Sequence, residues 1–415
     1  MTEVQQRSRL SFTEAMSIIA ARSKMVAPEL LPLADTVGTC LAETVHARSD
    51  FPRFRASAMD GFAVRAADCE SARQSNPLKL MLGVPIHAGD IPTQHEGSQV
   101  RPISTGAMLP PDFDAVITRE IAAISTHHGK ACLRVDTPVR PGLNVRSQGE
   151  DVLAGDGVVF AGQAVTPATI GALCCYGVPS ILVRRPPSVA ILPTGSELAT
   201  VGAGSLEQAQ TYDSNGPMIE AFAQHLGLIV RRAAPIGDNP LSLQSGMDSI
   251  LKAAHTQILI STGGVSVGDR DLMPKLLLNR GADIHFHDVS MRPGKPVLFA
   301  TLPNGSLFFG LPGNPVAALL GFRFFVLAAV RAMIGLVPEQ GEVVDIEAPA
   351  RRGTTTFSKA HVGSGAQGRR IITILPSQQS HMMRPLLTAN AWLRSDDLNG
   401  QQAVRLYPAF PNLIQ

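Results

Sequence analysis

No C-x-x-C spacing occurs among the five cysteines of this chain, Cys40, Cys69, Cys132, Cys174 and Cys175, and their number is odd. That argues against a disulfide framework and for reduced, mostly buried thiols of a cytoplasmic protein. Adjacent Cys174 and Cys175 stand in an apolar run and are expected in the core rather than on a metal. An excess of charge is missing too. The 36 Lys and Arg nearly balance the 34 Asp and Glu, and a net charge of +2 gives no reason to expect nucleic acid or an anionic membrane as partner. The first residues, M-T-E-V-Q-Q-R-S-R-L, have no apolar signal core. The longest apolar run, 316–330, is interrupted by Arg323 and falls short of the ~20 residues a membrane span needs, so it reads as a core or interface helix. There is no Gly-Lys-Ser/Thr of a Walker A loop and no dinucleotide G-x-G-x-x-G. No Ser-His-Asp or Cys-His arrangement stands out, which disfavours nucleophilic catalysis.

What is present describes a foldable globular chain, 45% hydrophobic and 17% charged. Its 415 residues are enough for about three domains. Ser11-x-x-Glu14 is a capping box that opens a helix with Phe12, Ala15, Met16, Ile18 and Ile19 on a packed face. The S-A-M-D-G of 57–61 is a small acidic turn; Asp60 is either its corner or a carboxylate presented to a cleft. From 79 to 146, short apolar pieces alternate with Gly, Pro, Asp and His, the texture of a small β-rich domain. Within it, Ser104-Thr105-Gly106 puts hydroxyls and a glycine at a strand end, and His127-His128 reads as a solvated hairpin tip. The Gly, Asp and Glu of 144–157 mark a junction, with Glu150-Asp151 as its corner. Pro167 sits in the first turn of a helix ending near Tyr176.

From Pro186 onward strands alternate with helices, which argues a doubly wound, largely parallel α/β domain. Residues 188–192, 228–236, 257–260 and 283–289 are expected as strands. Asn304-Gly305 between 297–302 and 306–311 is a hairpin signal. Past Glu342 the chain turns β-like again. The most telling stretch is S-T-G-G-V-S-V-G-D-R-D at 261–271, between an apolar strand and a helix start. Its glycines could cradle an anion and its aspartates a cation, or it is a tight strand-to-helix turn. The loops 194–197, 237–240, 261–271, 292–295 and 311–315 each follow a strand, so a parallel sheet would bring them to one edge. Together they carry Glu197, Asp238, Asp269 and Asp271 opposite Arg292 and Lys295. Carboxylates can hold Mg²⁺, the basic pair can neutralise an oxyanion, and helix N-termini add partial positive charge. His285 and His287 share a strand face but lack a third ligand, so a surface strand fits them better.

The ordered series S-A-M-D-G (57–61), S-T-G (104–106), P-T-G-S-E (193–197), Y-D-S-N (212–215), the 261–271 stretch, R-P-G-K-P (292–296), G-L-P-G-N-P (310–315) and Q-S-H (379–381) resembles the MoeA/gephyrin E-domain family, the molybdopterin molybdotransferases of molybdenum cofactor synthesis. The likeness runs over nearly the whole chain. It implies a multidomain α/β architecture. Residues 1–50 and 145–185 would form a discontinuous elongated unit, 51–144 a small β-rich domain, 186–338 a MogA-like doubly wound domain that binds molybdopterin, and 339–415 a C-terminal β-domain. It implies a transferase that hydrolyses AMP from adenylylated molybdopterin with Mg²⁺ and inserts molybdate. The site would lie between two copies of a homodimer, and a MogA-type adenylyltransferase is a possible partner. By position, Asp60 and Thr105 would come from one copy. Glu197, Asp238 and Asp271 would surround metal and substrate, and Lys295 and Arg292 would bind anionic groups. Ser214, Gly263, Gly264, Ser266, Gly268, Pro312, Asn314 and Ser380 would contact substrate, and Lys359 would meet molybdate as a point charge. The chain departs from the family at Ser196, where an acid is frequent, at Asn239, where an acid is also frequent, at Arg292, where Lys is common, and at Lys359, where Arg is frequent. An adenylyltransferase built on the same α/β domain and a non-catalytic scaffold are the competing readings.

Overall fold

The computed structural model describes residues 9–92, 100–202, 204–252, 256–264, 272–398 and 401–413. The chain is a multidomain α/β protein whose centre is a six-stranded sheet. In spatial order its strands are Val230–Arg232, Val189–Pro193, Ile258–Thr262, Leu307–Leu311, Leu298–Thr301 and Asp283–His287. The first four run parallel, and Leu298–Thr301 returns antiparallel through the hairpin at Asn304-Gly305. The strands read as continuous apolar runs because both faces are covered. Val189, Ile191, Ile258, Ile260, Phe309 and Leu311 pack towards helices Phe12–Arg22, Asn215–His225 and the long apolar helix. Ala190, Leu192, Leu259 and Phe308 pack on the other side, with Leu243, Met247 and Ile250 of helix Pro240–Lys252 and Met273 and Leu277 of Met273–Asn279.

The apolar helix spans Pro315–Ile334, longer than its sequence run suggests, with a π-helical turn at Gly321–Val326. Its length and composition would suffice to cross a bilayer, but it is 89% buried inside the protein as the core helix of the α/β unit. Arg323 does not interrupt it. The guanidinium is 1% exposed and forms a bidentate pair with Glu339, 2.7 Å on each arm, while also donating to Pro408 O. That pair and the stacking of Arg323 on Phe324, 4.8 Å to the ring centroid, let a cation sit in the core.

A seven-stranded sheet joins the C-terminal region to this centre. Its order is Leu10–Ser11, Val289–Arg292, Thr355–Ser364, Ala391–Leu398, Gln401–Pro408 and Glu342–Val343, with Arg370–Ile374 beside Thr355–Ser364. Leu10–Ser11 runs into helix Phe12–Arg22 through the capping box, where Ser11 Oγ accepts from Glu14 N–H and Glu14 accepts from Ser11 N–H at 2.7 Å. Phe12 touches Phe324, Phe325 and Phe357. The N-terminal helix therefore packs against the central and C-terminal units. The reason is its apolar face, Phe12, Ala15 and Ile19, which is buried in the largest core.

The discontinuous unit consists of Glu29–Pro32, Cys40–Leu41 and Val45–His46 paired with Ser180–Arg184 and Gly157–Val159, over a core that includes Leu41, Val165, Leu173 and Ile181. Helix Pro167–Cys175 covers it with little but Leu173 buried, so Cys174 and Cys175 are exposed, contrary to the expected core placement. Between the two halves lies the small β-rich domain. Strand Gly61–Val64 is its centre, paired antiparallel with Val100–Ile103 and Ala115–Thr118. Phe62 and Val64 face one core and Ala63 the other. At the tip of the Ala123–His127 and Lys130–Val135 hairpin, His128 and Gly129 take φ of 48° and 76°.

Gly61 leaves no room for a side chain: a Cβ there would stand 2.1 Å from Ile117 O. Gly61→Ala is expected to force the strand pair apart and destabilise the small domain by about 1–3 kcal/mol. Hydrogen exchange at 61–64 and 115–118 should accelerate selectively, and unchanged protection there would refute the packing argument.

Candidate functional site

The sheet order sets the carboxyl ends of four parallel strands side by side, and main-chain bonds lace the departing loops together. Thr194 N–H donates to Thr262 O at 3.0 Å, Gly195 N–H to Ile236 O at 3.0 Å and Gly263 N–H to Leu311 O at 2.9 Å. Asp238 and Ser196 exchange two bonds: the carboxylate accepts from Ser196 N–H at 3.2 Å, and Asp238 N–H donates to Ser196 Oγ at 3.0 Å. Ser196, which replaces a carboxylate frequent in the resembled family, thus serves to hold Asp238. Asn215 Nδ2 donates to Gly313 O at 2.7 Å and ties the start of helix Asn215–His225 to the turn before the apolar helix. Gly263 is required by geometry, since a Cβ would come 2.4 Å from Thr194 O at a φ of +91°. Glu197, Asp238, Gly263, Gly264, Pro312 and Asn314 accordingly belong to loops of one sheet edge. Ser214 is the N-cap of its helix but makes no side-chain cap; Asp213 Oδ1 accepts from Gly216 N–H instead. Ser266, Gly268, Asp269 and Asp271 lie outside the described residues.

Where this edge meets the C-terminal sheet, a cleft of about 680 Å³ opens. Arg292, Lys295, Pro312, Asn314 and Ser380 line it, five positions that the motifs had singled out. Much of the other wall was not anticipated: Arg351, Thr356, Ser358 and Gln378 come from the C-terminal region, beside Gln379 and His381 of the Q-S-H motif. Their sequence carries no glycine-rich or acidic signal; Thr356 and Ser358 lie in strand Thr355–Ser364, and Arg351 and Gln378 in the segments around it. Three devices hold the walls. Val316 N–H, in the first turn of the apolar helix, donates to Ser380 O at 3.0 Å. Gln378 bonds Lys359 N–H and Lys359 O through its side-chain amide. Lys359 is fully buried, and its Nζ donates to Gln379 O at 3.2 Å and Met382 O at 3.5 Å. Lys359 therefore fixes the 378–382 segment from behind, whereas the sequence suggested a point charge facing an anion. Burial pushes its pKa below the ordinary lysine value.

Asp60 and Thr105 stand together in the small domain rather than on the cleft wall. Thr105 donates to Asp60 Oδ1 from both its N–H, at 2.7 Å, and its hydroxyl, at 2.9 Å. These bonds, the backbone one foremost, hold the carboxyl below its ordinary pKa. A lowered carboxylate pKa contributes above the ordinary value and is lost as pH falls through the lowered one. Thr105→Val keeps the N–H and removes the hydroxyl, so the Asp60 carboxyl should titrate at higher pH by carbon NMR. An unmoved titration would show that the hydroxyl plays no part.

His285 resolves into a buried strand residue. Its Nε2 lies 2.8 Å from Thr301 Oγ1 and its Nδ1 3.5 Å from Asp283. Among the described residues, no group of three His, Cys, Asp or Glu is placed to hold a metal ion.

Comparison with known proteins now decides the family. The MoeA N-terminal region (domain I and II) matches residues 10–177, and a probable molybdopterin binding domain matches 190–332. A molybdopterin molybdenumtransferase of Staphylococcus aureus (strain MRSA252) is 36% identical over 335 residues, covering 80% of this chain and 78% of the relative. The chain belongs to the molybdopterin molybdenumtransferase family. Its Staphylococcus epidermidis (strain ATCC 12228 / FDA PCI 1200) relative of the same name is 34% identical over 334 residues, again 80% of this chain and 78% of the relative. The molybdopterin biosynthesis moeA protein from Pyrococcus horikoshii OT3 superposes with a TM-score of 0.77 at 24% identity, covering 96% of this chain and all of that one, which shows the same fold. The protein is thus a transferase of molybdenum cofactor biosynthesis, and strand Ser180–Arg184 lies in the short segment between the two matched regions.

Proposed function

We propose that this molybdenumtransferase takes adenylylated molybdopterin and molybdate, releases AMP, and does so with Mg²⁺. The cleft that joins Arg292 and Lys295 to Ser380 carries the reading, because it sets cations and a hydroxyl beside the strand-end loops. Lys295 and Arg292 bind and orient anionic oxygens. The start of the apolar helix, with Asn314 at its N-cap, adds its partial positive charge on the same wall.

The Glu197, Asp238 and Asp271 carboxylates, proposed from their motifs, would be the all-oxygen donors that a hard divalent cation takes. Bound there, Mg²⁺ would neutralise charge on the phosphoanhydride while water displaces AMP. Asp60 and Thr105 belong to the same site if a second copy presents its small domain to the cleft, so a homodimer is part of the proposal. A MogA-type adenylyltransferase would supply the adenylylated substrate. The cytoplasm is the proposed compartment, given thiols that carry no disulfide spacing.

The test gives the purified protein adenylylated molybdopterin, Mg²⁺ and molybdate. AMP release with formation of active cofactor supports the proposal. Consumption of ATP with free molybdopterin would make the protein an adenylyltransferase, and binding without turnover would make it a scaffold.

A further inference from the structure

We infer that Asp288 is a positioning residue that tempers the hold of Lys295 on oxyanions in the cleft. The inference rests on the proposed reading of the cleft as the oxyanion site. Asp288 sits between strands Asp283–His287 and Val289–Arg292 in a left-handed conformation, φ of 80°. That conformation is uncommon for a residue with a side chain and invites a functional explanation. Its backbone closes the stem of the loop that carries Arg292: Asp288 N–H donates to Val297 O at 3.1 Å, and Val289 N–H donates to Lys295 O at 2.9 Å. The geometry brings Asp288 Oδ2 within 3.1 Å of Lys295 Nζ. The Asp288 side chain is 13% exposed, and its Oδ1 is buried with no hydrogen-bond partner among the described residues.

A buried carboxylate with one oxygen unsatisfied is costly unless a cation beside it compensates. Lys295 is that cation, yet its side chain is 38% exposed and lines the cleft. The ammonium is therefore shared. With the cleft empty it serves Asp288; an incoming oxyanion must compete for it. Asp288 holds the ammonium in place and at the same time lowers the net charge an anion meets. Such an arrangement trades affinity for release, which suits a site that must let an anionic substrate or product go.

Binding of molybdate alone, followed by equilibrium dialysis on the full chain, tests this. Asp288→Asn keeps the shape, and asparagine tolerates the left-handed conformation well. It should bind molybdate about two- to fivefold more tightly than wild type, the size expected for a partly exposed ion pair. The binding should also weaken more steeply with added salt, because the site carries more net positive charge. Asp288→Gly, which accommodates φ of 80° without a side chain, should change affinity in the same direction. In a Lys295→Gln background the Asp288→Asn effect should vanish, an outcome that a merely structural role for Asp288 would not produce. If Lys295→Gln weakens binding but Asp288→Asn leaves it unchanged or weaker, the inference fails and the site reading stands. If Lys295→Gln itself leaves molybdate binding unchanged, the oxyanion reading of the cleft fails and takes the inference with it.

Discussion

Lys295→Ala is expected to lower AMP release by about two to three orders of magnitude, the usual cost of removing one preorganised donor from an oxyanion or phosphate site. The argument is electrostatic. Lys295 lines the cleft wall that also carries Arg292 and the start of the apolar helix, so its proposed role is to meet charge on the transferring groups. Stability should change far less. The partner left behind, Asp288, loses its compensating cation, a penalty of about 1–3 kcal/mol for a charged group, softened here because Lys295 is partly solvated. The variant should therefore stay folded while turnover collapses, which circular dichroism and the AMP assay separate directly. Asp271→Asn is expected to act in the same direction through the proposed metal and substrate carboxylates. Full activity in both variants would overturn the site assignment, although the family membership would be untouched.

Arg323→Ala carries the largest expected loss of stability, about 3–5 kcal/mol, the cost of breaking a buried ion pair from one side. Its guanidinium does more than pair with Glu339. It also donates to Pro408 O at 3.2 and 3.1 Å and lies 5.9 Å from the Tyr407 ring, so it clamps the strand Gln401–Pro408 onto the central helix. Arg331 repeats the device lower down, donating to Leu413 O at 2.8 Å and twice to Val337 O. Removing Arg323 leaves Glu339 without its bidentate partner and loosens the wall that carries Ser358. Replacing both partners with apolar residues, Arg323→Met with Glu339→Leu, should cost less than either single change, since no charge is stranded. Denaturant unfolding measures this ordering. A double variant less stable than both singles would show that the pair contributes more than it costs to desolvate.

Much of the central sheet was legible because its physics is local. Apolar runs with branched side chains, glycine-rich strand ends and Asn304-Gly305 each dictate their own backbone, and the observed strands fall where those signals lie. The pairing of Asp60 with Thr105 was legible only as two motifs far apart in sequence. Nothing in either one shows that the hydroxyl and N–H of Thr105 would both turn onto the carboxylate. Lys359 entered only through the resemblance, as a point charge for molybdate. That its ammonium settles on main-chain carbonyls follows from the strand Thr355–Ser364, buried from Thr355 to Ala360, which no single motif dictates. Cys174 and Cys175 failed in the opposite sense, since the apolar run around them belongs to a surface helix with one buried residue. The far wall of the cleft was invisible because Arg351, Thr356 and Gln378 acquire meaning only when the second sheet folds against the first.

The edge strand Leu10–Ser11 has a consequence for biosynthesis. It pairs with Val289–Arg292, which in turn pairs with Thr355–Ser364, so the earliest of these strands to leave a ribosome waits for one of the last. Contacts of such long sequence separation slow folding and leave unpaired edges exposed in the interim. The small domain has no such delay, because Gly61–Val64 finds both neighbours by Thr118. A nascent chain of this protein should thus hold a finished Asp60–Thr105 turn well before it has a cleft, and chaperones would meet it in that half-built state.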